Sequence, residues 1–374
     1  TFDRQSKTLL VADRETGMIH RLDLGGREDG RYDHGVQGRT AGGLAPVPFD
    51  AAKRASITQP SFQTGKPDTW GYAPAARRIF AVAVHGGRLF YAVADGLQIW
   101  SVASGADGAF GADARIELTV PPGSSPGEIS KIVFDDQGRM LVAERAAPSG
   151  AFDFMALGAE GAGRALRFAP APAGSGNTWQ SEPDRYAVGM KPEMRQGNGG
   201  IAIGYGHDAE GRLDRTRCGG SLWVTGEQLR VTSDQALAAR LDASGQADVN
   251  GLQGNDIELE RAHNAPPMHS YFIDYDDRFE TPETRGHMGD VAIWRACATA
   301  AASSPGSDVA EGPVAVESQQ QPSDEGAEEE GGEEAEDEDG EVVVIIDGGA
   351  DGDGQPPPPP ACPPGFQLQP GIQC

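Results

Sequence analysis

Residues 130–145, SKIVFDDQGRMLVAER, hold an apolar run, an Asp-rich turn with Gly138, and a second apolar run that ends on an acidic side chain. Asp and Gly supply the turn while Val and Ile suit a pleated strand, so the segment predicts an antiparallel hairpin. The form recurs at 1–24, TFDRQSKTLLVADRETGMIHRLDL, where the strand Thr8–Ala12 ends at Asp13, turns through Arg14–Gly17 and returns as Met18–Leu24. Residues 79–103, IFAVAVHGGRLFYAVADGLQIWSVA, give three strands separated by Gly86–Gly87 and Asp95–Gly96, and 201–230 give IAIGYGHDAEGRL and GGSLWVTGEQLRV. Each unit is expected to close on a strand of one type, IHRLDL, LQIWSVA, ALRFAPA or VAIWRAC, with Trp100 and Trp294 at a shared position.

The units alternate with period two, and no convincing amphipathic helix separates them. Gly at 52 and Pro at 27 of 374 residues make about a fifth of the chain, well above ordinary usage, and aromatics stand at 7%. Repeated small antiparallel sheets that bury their faces on one another account for this pattern, and the expected fold class is an all-β β-propeller of five to six blades, six being favoured.

The strand, Asp-x-x-Gly turn, strand ending in Ala-Asp and short return strand resemble the repeats of the NHL and SMP-30 (gluconolactonase)-like six-bladed propellers. FDRQSKTLLVAD and IVFDDQGRMLVAE carry the likeness, which covers four or five units within 1–297. Against that pattern the first unit lacks most of a longer leading strand, of which Thr1–Phe2 would be the end. The C-terminal part supplies it, or the chain is a fragment. Long insertions are expected at Gly25–Pro74, Ala146–Arg164 and Asn250–Ser270.

Charge separates the tail from the body. The chain carries 56 acidic and 31 basic side chains, net −25, yet 296–374 holds 18 Asp and Glu and no Lys or Arg, which leaves 1–295 at −7. No basic surface suited to nucleic acid is present, and no apolar run approaches the ~20 residues of a membrane span. Three regions follow: a propeller over 1–297, an acidic and Pro-rich disordered linker over 298–361, and a small loop over 362–374. Within the linker, Val342, Val343, Val344, Ile345 and Ile346 form a β-branched run. It is either a short apolar patch kept soluble by acidic neighbours or a strand that pairs with a sheet edge.

Four cysteines are present. Cys362 and Cys374 bracket CPPGFQLQPGIQC, where a disulfide would give shape to a segment too short for a core; metal binding is the alternative. Cys218 and Cys297 would pair only if their strands meet. The even count favours an oxidising compartment, the periplasm or cell surface. The C-P-x-G loop resembles cysteine-bracketed repeats in the tails of proteobacterial envelope proteins.

Gly123-Ser124-Ser125-Pro126-Gly127 imitates a hydrolase nucleophile elbow but fails on mechanism, since Pro126 has no N–H for the oxyanion; a loop is expected. His263 and His269 read as surface residues. Asp274, Asp276 and Asp277, like Asp347, Asp351 and Asp353, have calcium-type oxygen ligands without a complete calcium loop. The propeller resemblance implies a divalent metal at the channel mouth, held by Glu, Asn and Asp at the starts of inner strands, where it polarises a lactone and activates water. Glu128, Asn198 and Asp290 are the matching residues, although Asp290 precedes what reads as an outer strand.

The expected function is therefore a non-catalytic binding or assembly propeller of the bacterial periplasm or cell surface, with its tail as tether. Its partners would be other envelope or surface proteins, further copies of the chain, or a larger complex, with no cofactor. A metal-dependent lactonase using calcium or another divalent metal is the first alternative. A quinoprotein-type propeller, whose cofactor constellation is not assembled from His85 and Arg88, or a carbohydrate-binding one, with Trp70, Tyr72 and Trp179 as stacking candidates, is the second.

Overall fold

The computed structural model describes residues 1–53, 56–63, 69, 73–125, 127–146, 161–174, 178–230, 249–275 and 289–295. The expected linker over 298–361, the run Val342–Ile346, and Cys297, Cys362 and Cys374 lie outside them, as do Trp70, Tyr72, Asp276 and Asp277.

Four four-stranded antiparallel sheets follow one another along the chain. The first holds β1 (Phe2–Asp3), β2 (Thr8–Asp13), β3 (Met18–Leu22) and β4 (Glu28–Asp33). The second holds β5 (Ile79–His85), β6 (Arg88–Val93), β7 (Gln98–Ala103) and β8 (Arg115–Thr119). β9 (Gly127–Phe134), β10 (Met140–Ala146), β11 (Arg164–Pro170) and β12 (Trp179–Tyr186) make the third. In the fourth, β13 (Gly197–Gly204) pairs with β16 (Ser221–Arg230), then β17 (Val249–Asp256) and β18 (Tyr271–Asp274), while β14 (Gly206–His207) and β15 (Leu213–Asp214) form a side hairpin. Among the described residues this is a propeller-like succession of meander sheets.

The sheets pack face to face in chain order. Leu10, Ile19 and Tyr32 of the first meet Leu89, Tyr91 and Trp100 of the second. Phe90 and Ala92 of the second meet Ile132, Met140 and Val142 of the third. Leu141, Ala143 and Ala165 of the third meet Ile201, Leu222 and Val224 of the fourth. Alternate residues of β6 and β10 thus serve two cores, and this explains why LFYAV and MLVA are continuous apolar runs: both faces of these strands are buried. β2 does alternate, with Leu10 buried and Leu9 and Val11 40% and 44% exposed, because among the described residues the first sheet packs on one face only.

Three hairpin turns share one construction. In LDLGGR, FDDQGR and HDAEGR, the carboxylates of Asp23, Asp135 and Asp208 accept the backbone N–H of Arg27, Arg139 and Arg212 at 2.8–2.9 Å. The same arginines donate Nε to the second carboxylate oxygen. Gly26, Gly138 and Gly211 take the left-handed conformation that the turn needs, at φ 79°, 73° and 78°. The sequence showed the Asp and the Gly, but not that the arginine closes the turn.

The structure corrects three expectations. IHRLDL, LQIWSVA and ALRFAPA are third strands rather than last ones, since each sheet adds a fourth. Those outer strands, such as EDGRYD and RIELT, are largely polar and escape an apolar pattern. The expected insertion Gly25–Pro74 therefore contains β4, and Asn250–Ser270 begins inside β17. β17, VNGLQGND, is buried despite its polarity because its side chains find partners: Gln253 accepts from Gly189 N–H at 2.7 Å and donates to Ala187 C=O at 2.8 Å.

Candidate functional site

In a meander, the turns from first to second and third to fourth strand lie at one end of the sheet. The second-to-third turns and the crossings between sheets lie at the other. The three longest connections, 34–78, 147–163 and 231–248, all belong to this second end. So do Arg14 in the β2–β3 turn, Phe80 and Glu128 near the starts of β5 and β9, Arg145 near the end of β10, and Asn198 near the start of β13.

Glu128 is the hub. Arg14 Nη2 donates to its Oε1 at 2.5 Å and Arg145 Nη2 to its Oε2 at 3.0 Å. Both guanidiniums also lie over the Phe80 ring, at 4.6 and 5.0 Å from its centroid. Burial works to raise the Glu128 carboxyl, and the two arginines outweigh it, so its pKa lies below the ordinary carboxylate value. Behind this pair, Arg164 bonds Glu144 and Pro121 C=O in a buried contact.

Asn198 leads into Gly199, whose C=O accepts from Ser130 Oγ at 2.7 Å. A Cβ on Gly199 would stand 3.0 Å from Arg145 Cβ, so the start of β13 closes on the Glu128 hub. Asn198 Nδ2 is buried with no hydrogen-bond partner. Asp290 accepts from Lys131 Nζ of β9 at 2.5 Å, and its Cα would lie 2.8 Å from a Cβ on Gly200. The next residue, Val291, packs on Ala202 and Leu252. Asp290 is therefore not the leader of an outer strand, as the sequence suggested; it lies beside the first strands of the third and fourth sheets.

The three residues matched to a metal site thus share one neighbourhood, with each carboxylate held by cations. Among the described residues no group of three His, Cys, Asp or Glu side chains is arranged to hold a metal ion. His263 and His269 are exposed, and Asp274 accepts from Asn250 N–H at 2.8 Å. Residues 123–125 form a loop, in which Ser124 accepts from Arg195. Trp179 donates to Glu117 Oε2 and packs near Phe90 and Phe134, away from this end.

The cysteine expectation is corrected. No two cysteines stand at disulfide distance among the described residues, of which Cys218 is the single cysteine. Cys218 is disulfide-bonded rather than a free thiol, and Cys297, Cys362 and Cys374 lie outside the described residues.

Among the described residues no helix is long and apolar enough to cross a membrane. No protein-family model and no curated protein matches the chain. Solved structures with similarity include a luciferin-regenerating enzyme, at 10% identity and TM-score 0.35 over 78% of this chain and 64% of that one. The β-propeller domain of Myceliophteria thermophila Cps50 (Swd1) has 13% identity and TM-score 0.32 over 78% and 74%. The PQQ-bound aldose sugar dehydrogenase of Streptomyces coelicolor has 13% identity and TM-score 0.28 over 76% and 81%. The chain spans less than two thirds of the luciferin-regenerating enzyme's length, and it has a propeller-like fold with low-identity likeness to several propeller proteins.

Proposed function

We propose that the chain is a binding module that recruits a protein partner through the end bearing its long connections. The observation that supports this most is that the strands flanking 34–78, 147–163 and 231–248 all open at that end, which also bears the cluster whose carboxylates Glu128 and Asp290 are engaged in ion pairs. Loops on a rigid sheet scaffold are the usual carriers of recognition. An extracytoplasmic setting fits the acidic, Pro-rich tail as a tether. The test places a photo-crosslinking residue at exposed Thr40, on the connection end, or at exposed Asp136, on the opposite end, in the cells that make the protein. Adducts from position 40 and none from 136 are expected. Adducts from 136 alone, or from neither, would overturn the reading.

A quinone-dependent dehydrogenase is the second reading, favoured by the cations Arg14, Arg145 and Lys131 at the cluster, since pyrroloquinoline quinone is a polycarboxylate. With Glu128 and Asp290 present, the side chains of Arg14, Arg145 and Lys131 leave one surplus positive charge against three carboxylates, so the fit is incomplete and no catalytic step is derived through the cofactor. Glucose-dependent dye reduction by the quinone-supplemented chain would establish this reading over the first.

A further inference from the structure

We propose that the junction of β9, β10 and β13 binds a small oxyanion rather than a divalent cation, with Asn198, Arg145 and Lys131 as its donors. The inference stands whichever of the two functional readings holds.

Charge is the first ground. Arg14, Arg145 and Lys131 face Glu128 and Asp290, so the cluster carries one positive charge beyond neutrality. To ligate a cation, Glu128 would have to leave two guanidiniums and Asp290 an ammonium. A metal would also sit against three fixed positive charges, each of which opposes it. An added anion meets the opposite situation.

The second ground is independent of charge. Asn198 Nδ2 is buried and has no acceptor. A buried donor without a partner costs about 1–3 kcal/mol, and a ligand oxygen placed against it would recover that. The strand start packs tightly here: Gly199 sits at φ 98°, where a Cβ would collide with Ser130 Oγ, and a Cβ on Gly200 would lie 2.8 Å from Thr225 Oγ1, so neither position next to Asn198 accepts a side chain. Arg145 and Lys131 are partly open to solvent, with side chains 33% and 28% exposed. A guanidinium and an ammonium beside an amide donor form a set suited to carboxylate or phosphate oxygens.

Isothermal titration of the full chain tests this, with sodium phosphate and, separately, calcium chloride, at constant ionic strength in chloride buffer. Saturable phosphate binding, weakened at least tenfold in Asn198→Asp, and no calcium binding are expected. Asn198→Asp keeps the side chain's shape but turns the donor into a third carboxylate. Asn198→Ala, checked by circular dichroism, serves if the first variant fails to fold, and it should weaken phosphate in the same direction. Calcium binding that depends on Asn198, no saturable phosphate binding, or phosphate binding indifferent to both substitutions would overturn the proposal.

Discussion

Lys131 Nζ lies 2.5 Å from Asp290 Oδ2, a contact between residues 159 apart in sequence that ties the first strand of the third sheet to the segment 289–293. Val291 fixes the same segment by packing against Ala202 and Leu252 of the fourth sheet. One polar and one apolar contact thus hold it from two sides.

Lys131→Met should show which contact matters more. The pair is partly solvent-exposed, so its loss should cost no more than about 1 kcal/mol of global stability. The local effect should be larger: amide exchange in peptides spanning 289–293 should rise while β9 stays protected. Unchanged exchange there would show that Val291 alone holds the segment.

Arg167 should be more costly to remove. Its buried guanidinium donates to Glu182 and Ile257 C=O and reaches Glu258 and Glu260, joining the third sheet to the chain after β17. Arg167→Met should lower stability in urea by about 1–3 kcal/mol, since the buried Ile257 carbonyl loses a donor while the partly exposed Glu258 and Glu260 keep Arg139 and Arg185. Arg167→Lys should recover only part, because one ammonium cannot span the same acceptors. Full recovery by lysine would mean that charge, not the fork geometry, carries the contact.

Gly199→Ala and Gly26→Ala separate backbone strain from collision. Both positions have left-handed backbones, but a Cβ at Gly26 meets nothing within 4 Å, whereas one at Gly199 meets Ser130 and Arg145. Gly26→Ala should cost about 1–2 kcal/mol, the ordinary strain of an L-residue there. Gly199→Ala should exceed it and should also weaken phosphate binding. Equal thermal midpoints for the two variants would contradict this packing.

His34 gives the chain a pH dependence of defined sign. The imidazole is buried against Trp100 and Tyr91, and burial, with Arg39 and Arg77 nearby, lowers its pKa to about 3. Between that value and the ordinary 6.5, the unfolded chain binds a proton that the folded one does not. Stability should therefore be complete above about pH 6.5 and fall by about 1.4 kcal/mol per pH unit as the solution is acidified toward pH 3. Denaturant titrations of His34→Gln should lack this one-proton component; an identical slope in the variant would place the acid sensitivity elsewhere.

Strand pairs with apolar alternation or two-sided burial were legible because the pattern lies in adjacent residues: 130–145 gave β9, its turn and β10 directly. The outer strand EDGRYD was not, since an edge facing water needs no apolar pattern. β17 was hidden for the opposite reason, as Asn250, Gln253 and Asn255 replace apolar side chains inside the structure. At the site, Glu128 and Asn198 were legible as residues at strand starts. Their chemistry was not, because Arg14 lies 114 positions from Glu128 and only the packing of sheets brings them together. Asp290 was misplaced because VAIW resembles the strand QIWSVA that holds Trp100, while the first is short and follows the fourth sheet.

Among the described residues, the first sheet buries one face, at Leu10 and Ile19, whereas the second and third sheets bury two. Each apolar interface stabilises chiefly the two sheets it joins, while Arg14 adds a polar tie from the first sheet to Glu128 of the third, so resistance to opening should be graded rather than uniform. Fraying should begin at the layer holding Leu9 and Val11, with MLVA in the third layer yielding later. A force or protease acting from the side of Leu9 meets the weak end, while one acting at the layer of Leu141 must break two cores at once.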